Sequence, residues 1–459
     1  MAEGPSKLRI PSTMLTPTRR RFFEDSLMAA AAVALPKTLL GADPAPVSAN
    51  EKITAAIIGC GIRGKAHARE LARLAECDVA YVCDPDLDRA DEVGALMVEL
   101  KRPMPKKVQD LRKVLEDKSV DVVFIATPNH WHALAAIWAM QAGKDVYVEK
   151  PMTHNIFEGR KLLEAAAKYK KVVQHGTQLR SNPGFQEGIK LLHEGAIGDV
   201  YMARCVCYKW RPSLGPGHAG EAPKELDWNL WQGPAQEQAY LVDEKNAGLY
   251  VHYNWHWFWP YGNGDIGNQG VHQLDAARWG LGVGLPYRCT SMGGMFLWED
   301  AKEIYNVSSS SFLFKGADGK DKMMTLEVRP WMTNEEEGGS SFGVLFYGSE
   351  GYMSFPDYSS YKIFKGREGE LVKEGSKGGD GYHYQNFIDS VRSANPAGVN
   401  APPLEGHRSS ALSHYALTGA RLNRVLEIDP DSEMVKGDDE ANSFLTRQYR
   451  EPFVVPTEV

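Results

Sequence analysis

Ile53-Thr54-Ala55-Ala56-Ile57-Ile58-Gly59-Cys60-Gly61-Ile62-Arg63-Gly64 is the stretch that decides the fold. Its first six residues suit a parallel strand buried on both faces, and a glycine turn follows at once. Helix formers fill 65–75, a second apolar run occupies 78–83, and Asp84 closes that run twenty residues after Gly64. Strand, glycine turn, helix, strand and acid at this distance describe a dinucleotide-binding unit. Gly59 serves the tight turn, Gly61 the close approach of backbone to a pyrophosphate, and Gly64 the packing of helix on strand. The amides that open the helix, from Ile62 and Arg63 onward, favour the phosphate charge. A carboxylate at Asp84 accepts from ribose hydroxyls and repels a phosphate there, so the pattern predicts NAD over NADP, with Arg63 the residue that would favour NADP.

The rhythm continues outward. A strand at 120–126 leads into Thr127-Pro128-Asn129-His130-Trp131-His132, and one at 145–148 leads into Glu149-Lys150-Pro151. Ligands of an open parallel sheet lie beyond the carboxyl ends of its strands. Thr127, Pro128, Asn129, His132, Glu149 and Lys150 are therefore expected to converge on the cofactor. His130 and His132 read equally well as exposed rings at a helix start. A lysine before proline is held extended or in a turn, which lets the Lys150 ammonium project from a strand end. After a strand at 171–175, Gln178 is expected beside the cofactor and Arg180 at the mouth of the site.

A chain of 459 residues holds more than one core. Its net charge of -7 provides no basic footprint for nucleic acid, while eleven Trp and nineteen Tyr suit a small-molecule or sugar partner. Thr18-Arg19-Arg20-Arg21-Phe22-Phe23, the apolar run 26–35 and Val47-Ser48-Ala49 resemble a twin-arginine export signal with its cleavage site. The expected organisation is a signal peptide and linker at 1–49, an NAD-binding Rossmann domain at 50–175, and a substrate and oligomerisation domain at 176–459. A periplasmic protein without a membrane anchor follows, since no later apolar run suits a bilayer. The six cysteines read as reduced, buried thiols. The thirteen histidines show no metal-site spacing, so no metal is expected.

Together these residues resemble the Gfo/Idh/MocA family of oxidoreductases. The resemblance rests on 59–64, on Glu149-Lys150-Pro151, and on Gly267-Asn268-Gln269-Gly270-Val271-His272-Gln273-Leu274-Asp275. It implies an α/β fold: an N-terminal Rossmann parallel sheet, then a C-terminal α/β domain with a large, mostly antiparallel open sheet that often serves homo-oligomerisation. It also implies hydride transfer between a sugar or cyclitol hydroxyl and a nicotinamide, with Lys150 contacting cofactor and reacting hydroxyl and His272 as acid/base. Relatives often carry aspartate four residues before that histidine, where this chain has Asn268. Asp275, one helical turn after His272, is the carboxylate expected to substitute. The resemblance further implies that helical segments at 382–393 and 409–423 pack beside the cofactor domain.

The second half offers substrate contacts. Trp210 follows a strand at 200–208. Tyr253-Asn254-Trp255-His256-Trp257-Phe258-Trp259-Pro260-Tyr261 reads as a strand whose alternation puts Trp255, Trp257 and Trp259 on one face and His256 and Phe258 on the other. His256, Trp257, Asn268 and Asp275 join Arg180 and Trp210 as candidate substrate residues, aromatic faces being suited to sugar rings. Further strands are expected at 308–314, 323–328, 342–348, 351–354 and 361–364, with 334–339 as a hairpin tip. Two other readings stay open: a redox-neutral, NAD-dependent glycosidase, and a non-catalytic sugar-binding protein.

Overall fold

β1 (Ile53–Ile58) lies at the centre of a six-stranded parallel sheet, with Ala55, Ala56 and Ile57 fully buried. A strand with no polar alternation needs cover on both faces, and helices provide it. The computed structural model describes residues 52–243, 248–330 and 342–459, so the twin-arginine stretch and the 334–339 tip lie outside it. After β1 come α1 (Ile62–Arg73), β2 (Cys77–Cys83), α2 (Leu87–Glu99), β3 (Lys106–Val108), α3 (Leu111–Glu116), β4 (Val122–Ile125), α4 (Asn129–Gln141), β5 (Asp145–Val148), α5 (Ile156–Tyr169) and β6 (Val173–His175). The strand order is β3-β2-β1-β4-β5-β6. Its direction reverses between β1 and β4, and a crevice opens beyond their carboxyl ends. Gly59 has φ +93°, and a Cβ there would fall 2.5 Å from the Ala126 carbonyl carbon. Only glycine fits where the ends of β1 and β4 meet.

The second half begins with α6 (Pro183–His193) and β7 (Val200–Tyr208), followed by a two-stranded pair, β8 (His218–Ala219) and β9 (Leu241–Val242), that flanks α7 (Trp228–Gln232). Then come α8 (Val271–Leu281), β10 (Arg288–Gly294), β11 (Val307–Lys315), β12 (Asp321–Arg329), β13 (Phe342–Gly348), β14 (Gly351–Phe355), β15 (Ser360–Lys365), β16 (Glu370–Ser376), α9 (Gly381–Arg392), α10 (Pro403–Leu422) and β17 (Leu426–Glu427). These build a nine-stranded sheet in the order β16-β15-β14-β13-β7-β12-β11-β10-β17. Every neighbouring pair is antiparallel except β7 with β12. α8 lies tight on this sheet: a Cβ at Gly280 would fall 2.3 Å from the Phe346 ring. That contact fixes the height at which the start of α8 presents His272.

The chain then returns to the first sheet. Tyr384 of α9 stacks on Tyr147 of β5 at 5.5 Å and bonds His67 Nδ1 at 2.6 Å. All six cysteines are free and buried. No helix among the described residues is long and apolar enough to cross a membrane.

One expected strand does not form. Asn254–Trp257 is a single 3-10 turn, and the amides after it bond locally, Phe258 to Trp255 and Tyr261 to Phe258. Gly262 permits this: a Cβ there would strike the His256 backbone at 2.3 Å. The aromatic run therefore folds on itself, and local closure overrides its strand propensity.

Candidate active site

A cavity of about 240 Å³ runs from the glycine turn, past the loops after β4 and β5, to Asn268 and Gln269 of the π-turn before α8. Its cofactor end is built for a dinucleotide. A Cβ at Gly61 would meet nothing within 4 Å, so this glycine borders open space, whereas one at Gly64 would strike the Gly59 carbonyl at 2.0 Å. Asp84 accepts from the Cys60 amide at 2.7 Å and the Asp86 amide at 2.9 Å, which aims its carboxylate along the rim. Burial pushes that carboxyl up to about 6 against the pull of the two amides. Thr127 Oγ1 and Asn129 Oδ1 are buried, line the cavity and have no hydrogen-bond partner. Such orphaned groups fit a bound polar ligand.

His132 sits between the two loops, one ring nitrogen 2.8 Å from the Thr127 carbonyl and the other 2.7 Å from that of Pro151. His130 is buried against the Trp231 and Tyr261 carbonyls, so the reading of both rings as exposed is corrected. Sequence periodicity missed this because α4 is buried on nearly every side. Arg63 places Nε and Nη2 on one oxygen of Glu149, at 2.9 and 2.8 Å. Gln178 supports that pair from behind, donating to the Gly176 carbonyl and accepting from Arg63. Gln178 therefore stands one layer below the cavity wall, while Ile62 and Pro128 lie on it.

The reacting end centres on Lys150, whose peptide to Pro151 is cis. Its ammonium donates to the Asn268 carbonyl at 2.5 Å. The widened turn Ile266–Gly270 aims that carbonyl at the lysine, a local departure from α-geometry common at functional sites. Burial and the nearby Arg63 and Lys209 bring Lys150 down to about 8, although Glu149 opposes them. Burial alone would raise Glu149, but Arg63, His67 and Lys150 carry it down to about 2. His272, in the first turn of α8, is buried with its ring 5.0 Å from that of Tyr358, and its Nδ1 has no partner. Burial and the Lys150 charge hold its imidazole well below its ordinary range, hence neutral. His272 stands behind the cavity lining rather than on it, within reach of the Lys150 charge; a neutral imidazole so placed can take a proton while the ammonium holds an oxygen.

Several expected residues fall elsewhere. Asp275 does not assist His272: both its oxygens are held by Arg180, at 2.8 and 2.9 Å, and Ser409 donates to it at 2.7 Å. Arg180 is consumed by the same pair and does not line the cavity. Trp210 is 45% exposed and edge-on to Trp298, outside the cavity; Lys209 and Arg211 on either side of it face in. Trp257 is buried beneath Lys302, and His256 stands behind the wall with Nδ1 2.6 Å from the Tyr253 carbonyl.

The carboxylate near Asn268 is Asp265, which sequence reasoning missed. Arg211 holds both its oxygens, at 2.8 and 2.9 Å. Burial would raise Asp265, but Arg211 and His256 bring it down to about 2. The Asn268 amide donates to the Tyr253 hydroxyl at 3.2 Å and reaches Asp265 at 3.5 Å. The three-residue spacing from Asp265 to Asn268 was the available signal. Tyr253, Trp255 and Gln269 complete the lining at this end.

Residues 53–177 match the family model described as oxidoreductase family, NAD-binding Rossmann fold, and 349–455 match that of the family's C-terminal alpha/beta domain. The chain belongs to the Gfo/Idh/MocA oxidoreductase family. Within it, the chain is 30% identical to inositol 2-dehydrogenase 4 of Saccharopolyspora erythraea over 158 residues, 34% of this chain and 45% of that one. It is 31% identical to an alpha-N-acetylgalactosaminidase of Shewanella oneidensis over 125 residues, 26% of this chain and 27% of that one. The chain thus spans less than half the length of these curated relatives. The WlbA dehydrogenase of Bordetella pertussis, solved with NADH and UDP-GlcNAcA, shares the fold at a TM-score of 0.61 and 18% identity, covering 82% of this chain and 99% of that one.

Proposed function

We propose that this protein is an oxidoreductase that moves hydride between a hydroxyl-bearing carbon of a sugar, sugar derivative or cyclitol and a tightly held NAD. The observation that carries the reading is Lys150, a half-buried ammonium on the cavity wall that is held by the Asn268 carbonyl and whose charge acts on the neutral His272. Gly59, Gly61, Asp84, Thr127 and Asn129 would hold the dinucleotide, which when bound accepts the hydride. Lys150 donates a hydrogen bond to the substrate hydroxyl oxygen. His272 takes the hydroxyl proton as hydride leaves the same carbon, and the C–O bond becomes a carbonyl; reduction runs the steps in reverse. General acid/base help of this kind is worth about a hundred- to ten-thousandfold.

The twin-arginine stretch supports export to the periplasm, where a trapped cofactor must be regenerated in place. A self-associating oligomer is supported by exposed apolar side chains on the nine-stranded sheet, Tyr201 of β7 and Met292 of β10. The likeness to an alpha-N-acetylgalactosaminidase favours one second reading. In it the enzyme oxidises a glycoside, eliminates the aglycone, adds water and takes the hydride back.

Nucleotide released by denaturing the purified protein should be NAD. Free sugars or inositols that leave NADH behind support the dehydrogenase, and aglycone release without lasting reduction supports the glycosidase. Protein that carries NAD and acts on neither class contradicts both.

A further inference from the structure

We propose that Asn263 is a positioning residue for the cofactor: it fixes the side-chain amide of Asn129 so that an acceptor, not a donor, is turned to the dinucleotide. The proposal rests on the NAD-binding site and not on the sugar reaction. Asn129 opens α4 just beyond β4, in the first half of the chain, whereas Asn263 belongs to the second half, shortly before the widened turn at Ile266–Gly270. Both side chains are almost wholly buried, at 1% and 5% exposure.

A primary amide has a donor end and an acceptor end of nearly equal shape, so only its neighbours decide which way round it sits. Here the order starts at a group with no choice. The His154 backbone carbonyl can only accept, and it takes Nδ2 of Asn263 at 3.1 Å. Oδ1 of Asn263 is thereby turned to Asn129, whose Nδ2 donates to it at 3.0 Å. What remains of the Asn129 amide is Oδ1, buried and without a partner on a residue that lines the cavity. A buried acceptor left unpaired is costly, and the ribose hydroxyls and carboxamide of a dinucleotide are donors that would satisfy it. Turned round, Asn129 would offer those groups an N–H and set its oxygen against that of Asn263.

Asn263 is also held from a third side. A Cβ at Gly267 would fall 2.5 Å from the Asn263 Cβ and 3.5 Å from Pro151 Cγ, so this glycine lets the widened turn close on both. The loop after β4, the loop after β5 and the turn that presents the Asn268 carbonyl to Lys150 therefore meet at one residue.

The test is a double-mutant cycle on holoenzyme. It reads the rate at which bound NAD is lost on dilution and, by calorimetry, the affinity with which NAD is taken up again. Asn263→Leu, close in shape but with neither donor nor acceptor, should weaken NAD by about tenfold, and Asn129→Ala by at least as much. With Asn129→Ala already in place, adding Asn263→Leu should cost less than about twofold more. Should the leucine variant misfold, Asn263→Ser carries the same cycle. Equal losses from Asn263→Leu in both backgrounds would mark a merely structural role and overturn the inference, as would unchanged NAD binding in either single variant. Neither readout involves a sugar, so a coupled pair in a protein that acts on no sugar or glycoside upholds the inference and overturns only the oxidoreductase reading.

Discussion

Asp265 and Asp275 bracket His272 in the chain, and each buried carboxylate is gripped at both oxygens by an arginine at 2.8 and 2.9 Å. The bonds are alike and their surroundings are not. Arg211 of the first pair lines the cavity, and Asp265 meets the Asn268 amide and stands 3.9 Å from His256. The second pair is shut in by Ser409, Glu405 and the Trp279 ring. A buried ion pair is therefore no marker of function in itself; what matters is whether one member also faces the space where a ligand would lie.

The sharpest division comes from the residue between the two pairs. His272→Gln should lower kcat by about a hundred- to ten-thousandfold with nicotinamide content unchanged, as measured on purified holoenzyme; an undiminished kcat would remove His272 from the chemistry. Next in size, Arg180→Met strands a buried carboxylate and should cost about 3–5 kcal/mol of stability in a urea titration, with kcat per folded molecule preserved. Asp265→Asn should also destabilise, but it should in addition alter substrate KM, because Arg211 faces the cavity. Equal kinetic effects from both variants would erase the contrast drawn between the pairs.

The smallest effect is in pH. Lys150 is depressed to about 8, so its ammonium is present below that value and lost above it. Oxidation measured as kcat/KM should fall by about tenfold per pH unit above about 8. His272, already neutral, should add no acid limb near its ordinary range. A profile still rising beyond pH 9, or about one unit past that limb, would detach the rate from the ammonium.

The cofactor half was legible because its parts are contiguous: β1, the glycine turn, α1 and Asp84 lie within one stretch and obey one spacing. The substrate half is assembled from the exit of β7, the 3-10 turn at Asn254–Trp257 and the widened turn at Ile266–Gly270, which no single periodicity connects. Helical spacing correctly put Asp275 on α8, yet it carried no information that Arg180 would arrive from ninety-five residues away. Alternation was applied to the tryptophans of 255–259 where the chain turns, so Trp257 was assigned to the cavity and lies in the core. At 209–211 the same alternation holds, and the residues beside Trp210 were the ones to choose.

The most direct test of the account is nicotinamide absorbance in holoenzyme mixed with a panel of sugars, inositols, uronates and glycosides, wild type beside Lys150→Met. The account predicts reduction of bound NAD in the wild type by at least one hydroxyl-bearing substrate, and loss of about a thousandfold or more in Lys150→Met with equal NAD content. A Lys150→Met enzyme that reduces its cofactor as fast as wild type would contradict it.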